Sequence, residues 1–243
     1  NNFREYLTAG YMNGLAIEKL QEILCDEHGK VFPSWMNVLS FLILQREGDD
    51  LLQLLLEQDP EMVVRFERTR VEASVRNAIV IRILDSFAER NMWLSFGKNS
   101  AEHMAAFGQS RELCEYLLKQ IETPSHFRAL SNALSVLSCF SGLYGLEERT
   151  RETLSACLRS ETVREYERGR TLETLASLGL DTAEITEDIV GNFRHDLTDH
   201  YRCAILEYLR LTGRYEEHFG IFLEEYRLTG ENSTEFLRLR HVI

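Results

Sequence analysis

The sequence has little proline and lacks the alternating β-branched runs that predict strands. Only three prolines occur in 243 residues: Pro33, Pro60 and Pro124. Pro60 and Pro124 follow Asp59 and Thr123, so both mark helix starts, where the missing N–H of proline is not needed. Leu, Glu and Arg dominate, and no run of Val, Ile and Thr has a period of two. We therefore predict an all-α fold.

The chain also lacks a long apolar run and an excess of positive charge. No window approaches the roughly 18 apolar residues of a membrane-spanning helix, and the start NNFREYL has no signal-peptide pattern. The formal net charge of −12 argues against non-specific binding to nucleic acid or to anionic membranes. We predict a cytoplasmic protein without nucleic-acid or membrane partners. The first residue is Asn rather than Met, so we expect a piece of a longer protein.

Motifs for nucleotide binding and for covalent chemistry are missing or incomplete. A P-loop needs Gly-x-x-x-x-Gly-Lys-Ser/Thr, and neither Gly29-Lys30 nor Gly97-Lys98 is followed by Ser or Thr. The cysteines are odd in number, far apart and set in apolar helical patterns, which indicates buried reduced thiols rather than disulfides. They are Cys25, Cys114, Cys139, Cys157 and Cys203.

Two groups of residues have spacings that resemble metal sites. Cys25 and His28 form a Cys-x-x-His pair with no second pair to support it. His195 and His200 lie near Cys203, but a separation of five residues on a helix turns the two histidines about 140° apart. We therefore expect solvated or capping histidines. A Cys–His nucleophilic pair stays open, because such partners meet in space. We predict no catalytic, cofactor-binding or metal-binding residue and no cofactor in this chain.

Helix start and stop signals divide the first half of the chain into several short helices. Apolar spacing predicts helices near Phe3–Cys25, with a break at Asn13-Gly14, then near Ser34–Gln45, Leu51–Leu56, Pro60–Phe66 and Val71–Arg90. In LLLEQDPEMVV, Asp59 is the expected N-cap of the helix that Pro60 begins. The segment Asn91–Gln109 is less regular, with only a short helical stretch.

The second half is repetitive. The segments NALSVLSCFSG (132–142), GRTLETLASLG (169–179) and CAILEYLRLTG (203–213) each carry Leu, two fillers, Leu and a closing Gly. The anchors Leu134, Leu172 and Leu206 are 38 and 34 residues apart. Each closing Gly fits a left-handed helix C-cap.

A second kind of helix alternates with these segments, at Arg151–Arg159, Glu184–Arg194 and Glu217–Arg227. A two-helix unit that recurs every 30-odd residues is typical of an α-solenoid. We predict stacked antiparallel helix pairs of the HEAT/ARM kind, with a non-repetitive helical bundle as the alternative.

Surface residues of the predicted repeats offer few specific contacts. We expect Arg128, Arg168 and Arg202, near the starts of repeat helices, to bridge neighbouring units through Asp or Glu. Of the two tryptophans, Trp35 is expected to pack with Leu39, and Trp93 is the better candidate for an interface anchor. Tandem carboxylates indicate solvated faces; they are Glu147-Glu148, Glu216-Glu217 and Glu224-Glu225.

Several stretches resemble a known family. FREYLTAGYM (3–12) resembles the end of the winged-helix region that follows a NACHT nucleotide-binding module. LLLEQDPEMVVRFE (54–67) and VEASVRNAIVIRIL (71–84) resemble the next helices of NACHT-containing STAND NTPases, a family that includes antiviral Avs-type proteins and is related to animal NLR receptors. Where the family has an LRSD-like ending, this chain reads Arg65-Phe66-Glu67.

The resemblance implies three regions: 1–30, the end of winged-helix-like linker helices; 31–109, a helical transition region; and 110–243, HEAT-like repeats. It implies a non-catalytic region that keeps its parent inactive, senses a foreign protein such as one from a phage, and signals to an ATP-driven oligomerisation module. ATP and Mg²⁺ would bind only upstream, and homo-oligomers would form through the parent. The alternatives are a freestanding HEAT- or TPR-like scaffold and an α-helical enzyme with an unrecognised site.

Overall fold

The computed structural model describes residues 2–48, 50–65, 71–94, 100–193, 197–221 and 223. These residues form thirteen α-helices and one 3-10 helix, and among them no β-strand occurs, only an isolated bridge between Cys25 and Val31. The predicted all-α fold is confirmed. The chain divides into two compact units, Asn1–Arg90 with Leu94–Leu113, and Asn91–Trp93 with Cys114–Ile243.

The first unit is built from short helices around a leucine-rich core. Its described helices are α1 (Asn2–Asn13), α2 (Ile17–Leu24), the 3-10 helix Pro33–Trp35, α3 (Met36–Gln45), α4 (Asp50–Gln58), α5 (Pro60–Val63), α6 (Ala73–Glu89) and α7 (Ser100–Gly108). Helix α1 packs along α3. The break at Asn13-Gly14 is confirmed, and the Asn13 side chain fixes it by donating to the Gln45 carbonyl at 3.1 Å. The core residues Leu39, Leu42 and Leu55 are fully buried.

The Asp-Pro corner differs from the prediction. Pro60 does begin α5, but the Asp59 side chain makes no capping hydrogen bond to it. The buried Asp59 carboxylate instead accepts from the Val31 backbone N–H at 3.3 Å and from Lys30 Nζ at 3.4 Å. Asp59 therefore fastens the loop after α2 to the end of α4. Helix α5 is a single turn that ends at Val63, and the expected continuation to Phe66 lies outside the described residues.

The second unit holds the predicted repeats. Helix α8 (Arg111–Glu122) begins in the first unit and continues into the second. The following helices are α9 (Phe127–Leu137), α10 (Glu147–Arg159), α11 (Glu165–Ser177), α12 (Ala183–Gly191) and α13 (Asp199–Leu211). The repeat anchors Leu134, Leu172 and Leu206 are all buried, in α9, α11 and α13. The predicted helix Glu217–Arg227 lies largely outside the described residues.

The odd-numbered helices of the second unit pack as a row, and ion pairs link the even-numbered helices to one another. In the odd row (α9, α11, α13), α11 contacts both neighbours. An ideal Cβ on Gly169 of α11 would lie 3.1 Å from Ala204 Cβ of α13, so small residues allow this close approach. In the even row (α8, α10, α12), Arg149 pairs with Glu122 at 3.2 Å and Arg159 with Glu184 at 3.1 Å. Two rows are what stacked helix pairs require, and the solenoid itself stays a prediction.

The closing glycines behave as predicted at two of three helix ends. Gly179 and Gly213 have φ of +63° and +72°, and the next residue donates back across each turn, Leu180 N–H to the Leu175 carbonyl and Arg214 N–H to the Leu209 carbonyl. The prediction is wrong for Gly142, whose φ is not positive. Helix α9 has already ended at Leu137, where the Ser138 and Cys139 side chains bond to the Ser135 carbonyl.

Three buried threonines in the second unit bond first to carbonyls one turn earlier in the chain. The side chains of Thr171, Thr174 and Thr186 donate to the carbonyls four residues earlier at 2.8, 2.8 and 3.0 Å. Their contacts with neighbouring helices are longer, as between Thr174 Oγ1 and the Leu134 carbonyl at 3.3 Å. The rows therefore hold polar atoms whose strongest hydrogen bonds are local.

Candidate functional site: an aromatic and arginine cleft

A cleft of about 540 Å³ opens in the second unit where helices of the odd row begin. Phe127 is the first residue of α9, while Tyr166 and His200 are the second residues of α11 and α13. Trp93 joins them from the segment before α7, and Arg164, Glu165 and Thr198 complete the lining. The cleft volume is within the range of small-ligand sites.

The rings of the cleft contact one another mostly edge to face. The Trp93 ring lies 5.8 Å from Phe127 and 5.9 Å from Tyr166 between centroids, at interplanar angles of 62° and 79°. His200 stacks on Tyr166 at 4.8 Å and 20°. These are favourable geometries for aromatic pairs. Tyr166 is 42% exposed, so a large part of its ring remains open to a partner.

An arginine is held against the Phe127 ring. The Arg164 Cζ atom lies 3.6 Å from the Phe127 centroid, which is a close cation–π contact. Arg164 Nε and Nη2 donate to the Glu167 carboxylate at 2.9 and 2.6 Å, and Ser131 Oγ donates to the same carboxylate at 3.2 Å. Glu167 is buried, and its hydrogen bonds raise the pKa of Arg164. Arg164 is therefore a charged donor held in one orientation.

Backbone contacts position Trp93. Arg128 donates to the Asn91 carbonyl, and Asn132 Nδ2 donates to the Met92 carbonyl at 3.0 Å. Asn91 has a φ of +51°, a left-handed conformation that asparagine tolerates. The Arg128 guanidinium also lies over Trp93 and Phe127, with Cζ 5.9 and 5.2 Å from their centroids. The chain before α7 is thereby fastened to α9.

The chemistry of the cleft is that of recognition. Its rings offer stacking, and Arg164 offers N–H donors. The Glu165 carboxylate is already engaged, because it accepts from the Thr198 backbone N–H at 2.7 Å. The rings and Arg164 can stack on a ligand and donate hydrogen bonds to it.

The residues with metal-like spacing are not brought together as a site. Cys25 is buried and His28 exposed, on opposite sides of a turn in which Asp26 Oδ1 accepts from the His28 and Lys30 N–H groups. His195 lies outside the described residues, and His200 stacks on Tyr166 instead. Across the residues that can be described, no cluster of three or more His, Cys, Asp or Glu could hold a metal ion.

None of the five cysteines, all of them among the described residues, forms a disulfide. Cys25, Cys114 and Cys157 are buried as predicted, whereas Cys139, in the turn after α9, and Cys203, in α13, are only half-buried. Burial raises the pKa of the Cys114 thiol to about 11 and raises those of Cys25 and Cys157. These three thiols are therefore protonated at neutral pH and are weak nucleophiles.

The arginines singled out from the sequence fasten loops. Arg168 Nη2 donates to the Ser160 carbonyl at 2.6 Å, and Arg202 Nη1 donates to the Leu197 carbonyl at 2.6 Å, so each holds the loop before its own helix. Bridges between helix pairs through carboxylates are made by other arginines: Arg149 with Glu122, Arg159 with Glu184 and Asp188, and Arg214 with Asp181.

Other predicted positions are simpler. Trp35 is half-buried, at the end of the 3-10 helix, so it is not a full core residue. Glu147, Glu148, Glu216 and Glu217 are exposed as expected, and Glu224-Glu225 lie outside the described residues. Within the described chain no helix is long and apolar enough to cross a membrane.

Phe127, Arg164 and Tyr166 were not singled out from the sequence. A usable signal existed, because Tyr166 and His200 each stand six residues before a repeat anchor, Leu172 and Leu206. Aromatic residues that recur with the repeat step fall at the same end of successive helices. Comparison of the chain with known protein families, curated proteins and solved structures found no match.

Proposed function

We propose that this chain is a protein-interaction region of helical repeats in a larger NACHT-type STAND NTPase. In this role it keeps the parent inactive, binds a foreign protein and transmits that event to an ATP-driven oligomerisation module, in cytoplasmic antiviral defence. ATP and Mg²⁺ belong to the upstream module, and any homo-oligomer forms through the parent. The parent, but not this chain, is an ATPase.

The observation that carries the interaction role is the cleft at Trp93. Aromatic rings next to a fixed arginine are residue types enriched at protein interfaces, and here Tyr166 and His200 are exposed to solvent. They stand at the ends of helices packed in rows, and helical repeats of this kind use extended surfaces to bind other proteins. The NACHT assignment is supported by the sequence resemblance of 3–12 and 54–84 alone.

Transmission follows from differential binding. A partner that binds one arrangement of the helices more tightly shifts the population toward that arrangement, by no more than the difference in affinity. The same coupling requires that the nucleotide state of the parent alter the affinity for the partner.

The coding sequence upstream of Phe3 provides the first test. We expect a Walker A motif and an effector region there. The full-length protein should then oligomerise in ATP, measured by mass photometry, only after its partner is added, and Trp93→Ala should abolish this response. An open reading frame that starts within a few residues of Asn1, with no Walker A motif, would establish the freestanding scaffold instead.

The enzyme alternative has its own test. The 243 residues should show no ATP hydrolysis and no general hydrolase activity. Reproducible turnover that disappears on changing one His or Cys would contradict the non-catalytic role.

A further inference from the structure

We propose that the cleft binds an acidic peptide segment of the protein partner, in which an aromatic side chain lies beside a carboxylate. This inference rests on the proposed interaction role and names the chemistry of the segment recognised.

The ring arrangement selects an aromatic side chain. Tyr166 and Trp93 meet edge to face at 79° and form a corner of the cleft, and the exposed His200 stacks on one face of Tyr166. A ligand ring laid against this aromatic corner can stack on one exposed ring and meet the edge of another, which adds to the gain from burial. The volume of about 540 Å³ accepts a side chain together with its flanking backbone.

The charges select a negative neighbour. Arg164 uses Nε and Nη2 on Glu167, while Nη1 has no hydrogen-bond partner in the described part of the chain. Arg128, over the same rings, pairs with no described carboxylate. Glu165 is engaged by the Thr198 N–H group. The cleft therefore presents the Arg164 Nη1 group, and a carboxylate of a ligand can accept a charge-assisted hydrogen bond from it.

The same contacts disfavour a cationic ligand. A lysine or a methylated ammonium group would need an open ring face. The Phe127 face is already covered by Arg164 at 3.6 Å, and Arg128 lies 5.2 Å from the same ring. A second cation at the Phe127 ring would therefore meet the like charge of Arg164.

Single-stranded nucleic acid is the competing ligand class, because bases also stack on aromatic rings beside arginine. The formal charge of −12 opposes a polyanion over the whole chain, whereas a peptide with one or two carboxylates needs only the local donors. The peptide is therefore favoured.

Phage-displayed random heptapeptides, selected on the 243-residue chain, test the inference. Peptides that also bind the Tyr166→Ala variant are discarded, because they bind outside the cleft. We expect the remaining peptides to share an aromatic residue adjacent to Asp or Glu. A fluorescently labelled peptide of the consensus sequence should then bind the chain, as measured by fluorescence anisotropy. Binding should be lost when the Asp or Glu of the peptide is replaced by Asn or Gln.

Matched variants locate the binding. Tyr166→Ala and Arg164→Lys should weaken binding of the consensus peptide at least about tenfold, the loss expected when an aromatic contact or an oriented guanidinium donor is removed. The controls are Tyr215→Ala for Tyr166 and Arg159→Lys for Arg164, and both should leave the affinity for the peptide unchanged. Tyr215 is 41% exposed, and the side chains of Arg159 and Arg164 are 53% and 52% exposed. Thermal melts confirm that all four variants fold.

Three results would overturn the inference: no cleft-dependent peptide, cleft-dependent peptides without an acidic residue, or tight Tyr166-dependent binding of labelled dT15. None of these results bears on whether a Walker A motif lies upstream, so the proposal of a NACHT-type parent would still stand. A missing Walker A motif, in turn, leaves the peptide result standing.

Discussion

Arg164 and Glu167 show how one residue pair determines the geometry of a site. Glu167 is buried with a side-chain exposure of 1%, while Arg164 is about half exposed. Loss of either partner has unequal consequences, because water can solvate Arg164 but cannot reach Glu167. A buried charge without its partner is the costly case.

Replacing Arg164 with Met should lower the free energy of unfolding by about 3 kcal/mol, the lower end for a broken buried pair, because this pair is buried on one side only. Glu167→Met should cost less, and the double variant should recover most of the loss. Urea denaturation of the four proteins gives the values. Equal losses for the two single variants would contradict the asymmetry.

The thiols should separate into two classes by reactivity. Cys139 and Cys203 are half-buried, whereas Cys25, Cys114 and Cys157 are buried with raised thiol pKa. Two thiols should react quickly with Ellman's reagent at pH 8 in the native protein, and all five in urea. The Cys114→Ser variant should still show two fast-reacting thiols. A smaller number would mean that Cys114 is itself one of the fast-reacting groups, which would contradict the two classes.

The raised pKa of the Cys114 thiol makes the stability of the fold decrease at alkaline pH. The Cys114 thiol titrates at about 11 in the folded chain against 9.0 when unfolded. Because the folded pKa is the higher one, this stability is fully present below pH 9 and is lost as pH rises from 9 through 11.

At the scale of elements, the sequence predicted helix positions well and helix contacts poorly. The Leu anchors located α9, α11 and α13, and the closing glycines located the ends of α11 and α13, because apolar spacing and left-handed caps are local signals. Gly142 misled, since an extra residue separates it from its helix. Asp59 was predicted as a cap, but its carboxylate binds Val31, 28 residues earlier in the chain. No local pattern contains such a partner.

The helix that leads to the Asp-Pro corner should be sensitive to truncation. Leu55 is fully buried, so Leu55→Ala should cost about 2–5 kcal/mol in unfolding free energy. Leu54, with 9% exposure, should lie at the lower end of that range. Leu44→Ala, at a residue 55% exposed, is the control and should change stability by less than about 0.5 kcal/mol. Thermal or urea melts in which Leu55→Ala matches the control would show that α4 is not core.

Two helical glycines should respond in opposite directions. Gly169 has Ala204 against its ideal Cβ, so Gly169→Val should separate α11 from α13 and cost about 1–3 kcal/mol by overpacking. Gly191 has open space, so Gly191→Ala should stabilise by about 0.4–1 kcal/mol. Chemical denaturation of both variants checks the signs, and stabilisation by Gly169→Val would mean that the helices are not tightly packed there.

At the scale of the molecule, neighbour contacts rank the helices of the second unit. Helix α11 packs against α9, α10 and α13, whereas α12 carries exposed Glu184, Glu187 and Asp188. Amide protons at Leu172 and Leu175 should exchange only through global unfolding, and those of α12 faster. Hydrogen exchange read by mass spectrometry measures this, and equal protection of α11 and α12 would contradict it.

The candidate site also depends on contacts across the whole unit. From the sequence we singled out only two of its residues, Trp93 as a possible interface anchor and His200 because of its metal-like spacing. The cleft joins side chains from four separate segments, and its fixed donor depends on Glu167 and Ser131 in different helices. Helical spacing says which face a residue occupies but not which distant ring it meets.

The buried threonines have a mechanical consequence. Their short bonds stay within a helix, and the contacts that cross between helices, such as Thr174 with Leu134 and Thr186 with Tyr208, are 3.3–3.4 Å long. A small slip of one helix along its neighbour would stretch these longer links, and between α9 and α11 also the Arg170 Nη2–Ser135 Oγ bond of 2.9 Å, while the threonine bonds inside each helix stay intact. The buried threonines therefore brace each helix against stretching along its own axis and tie it only loosely to its neighbour.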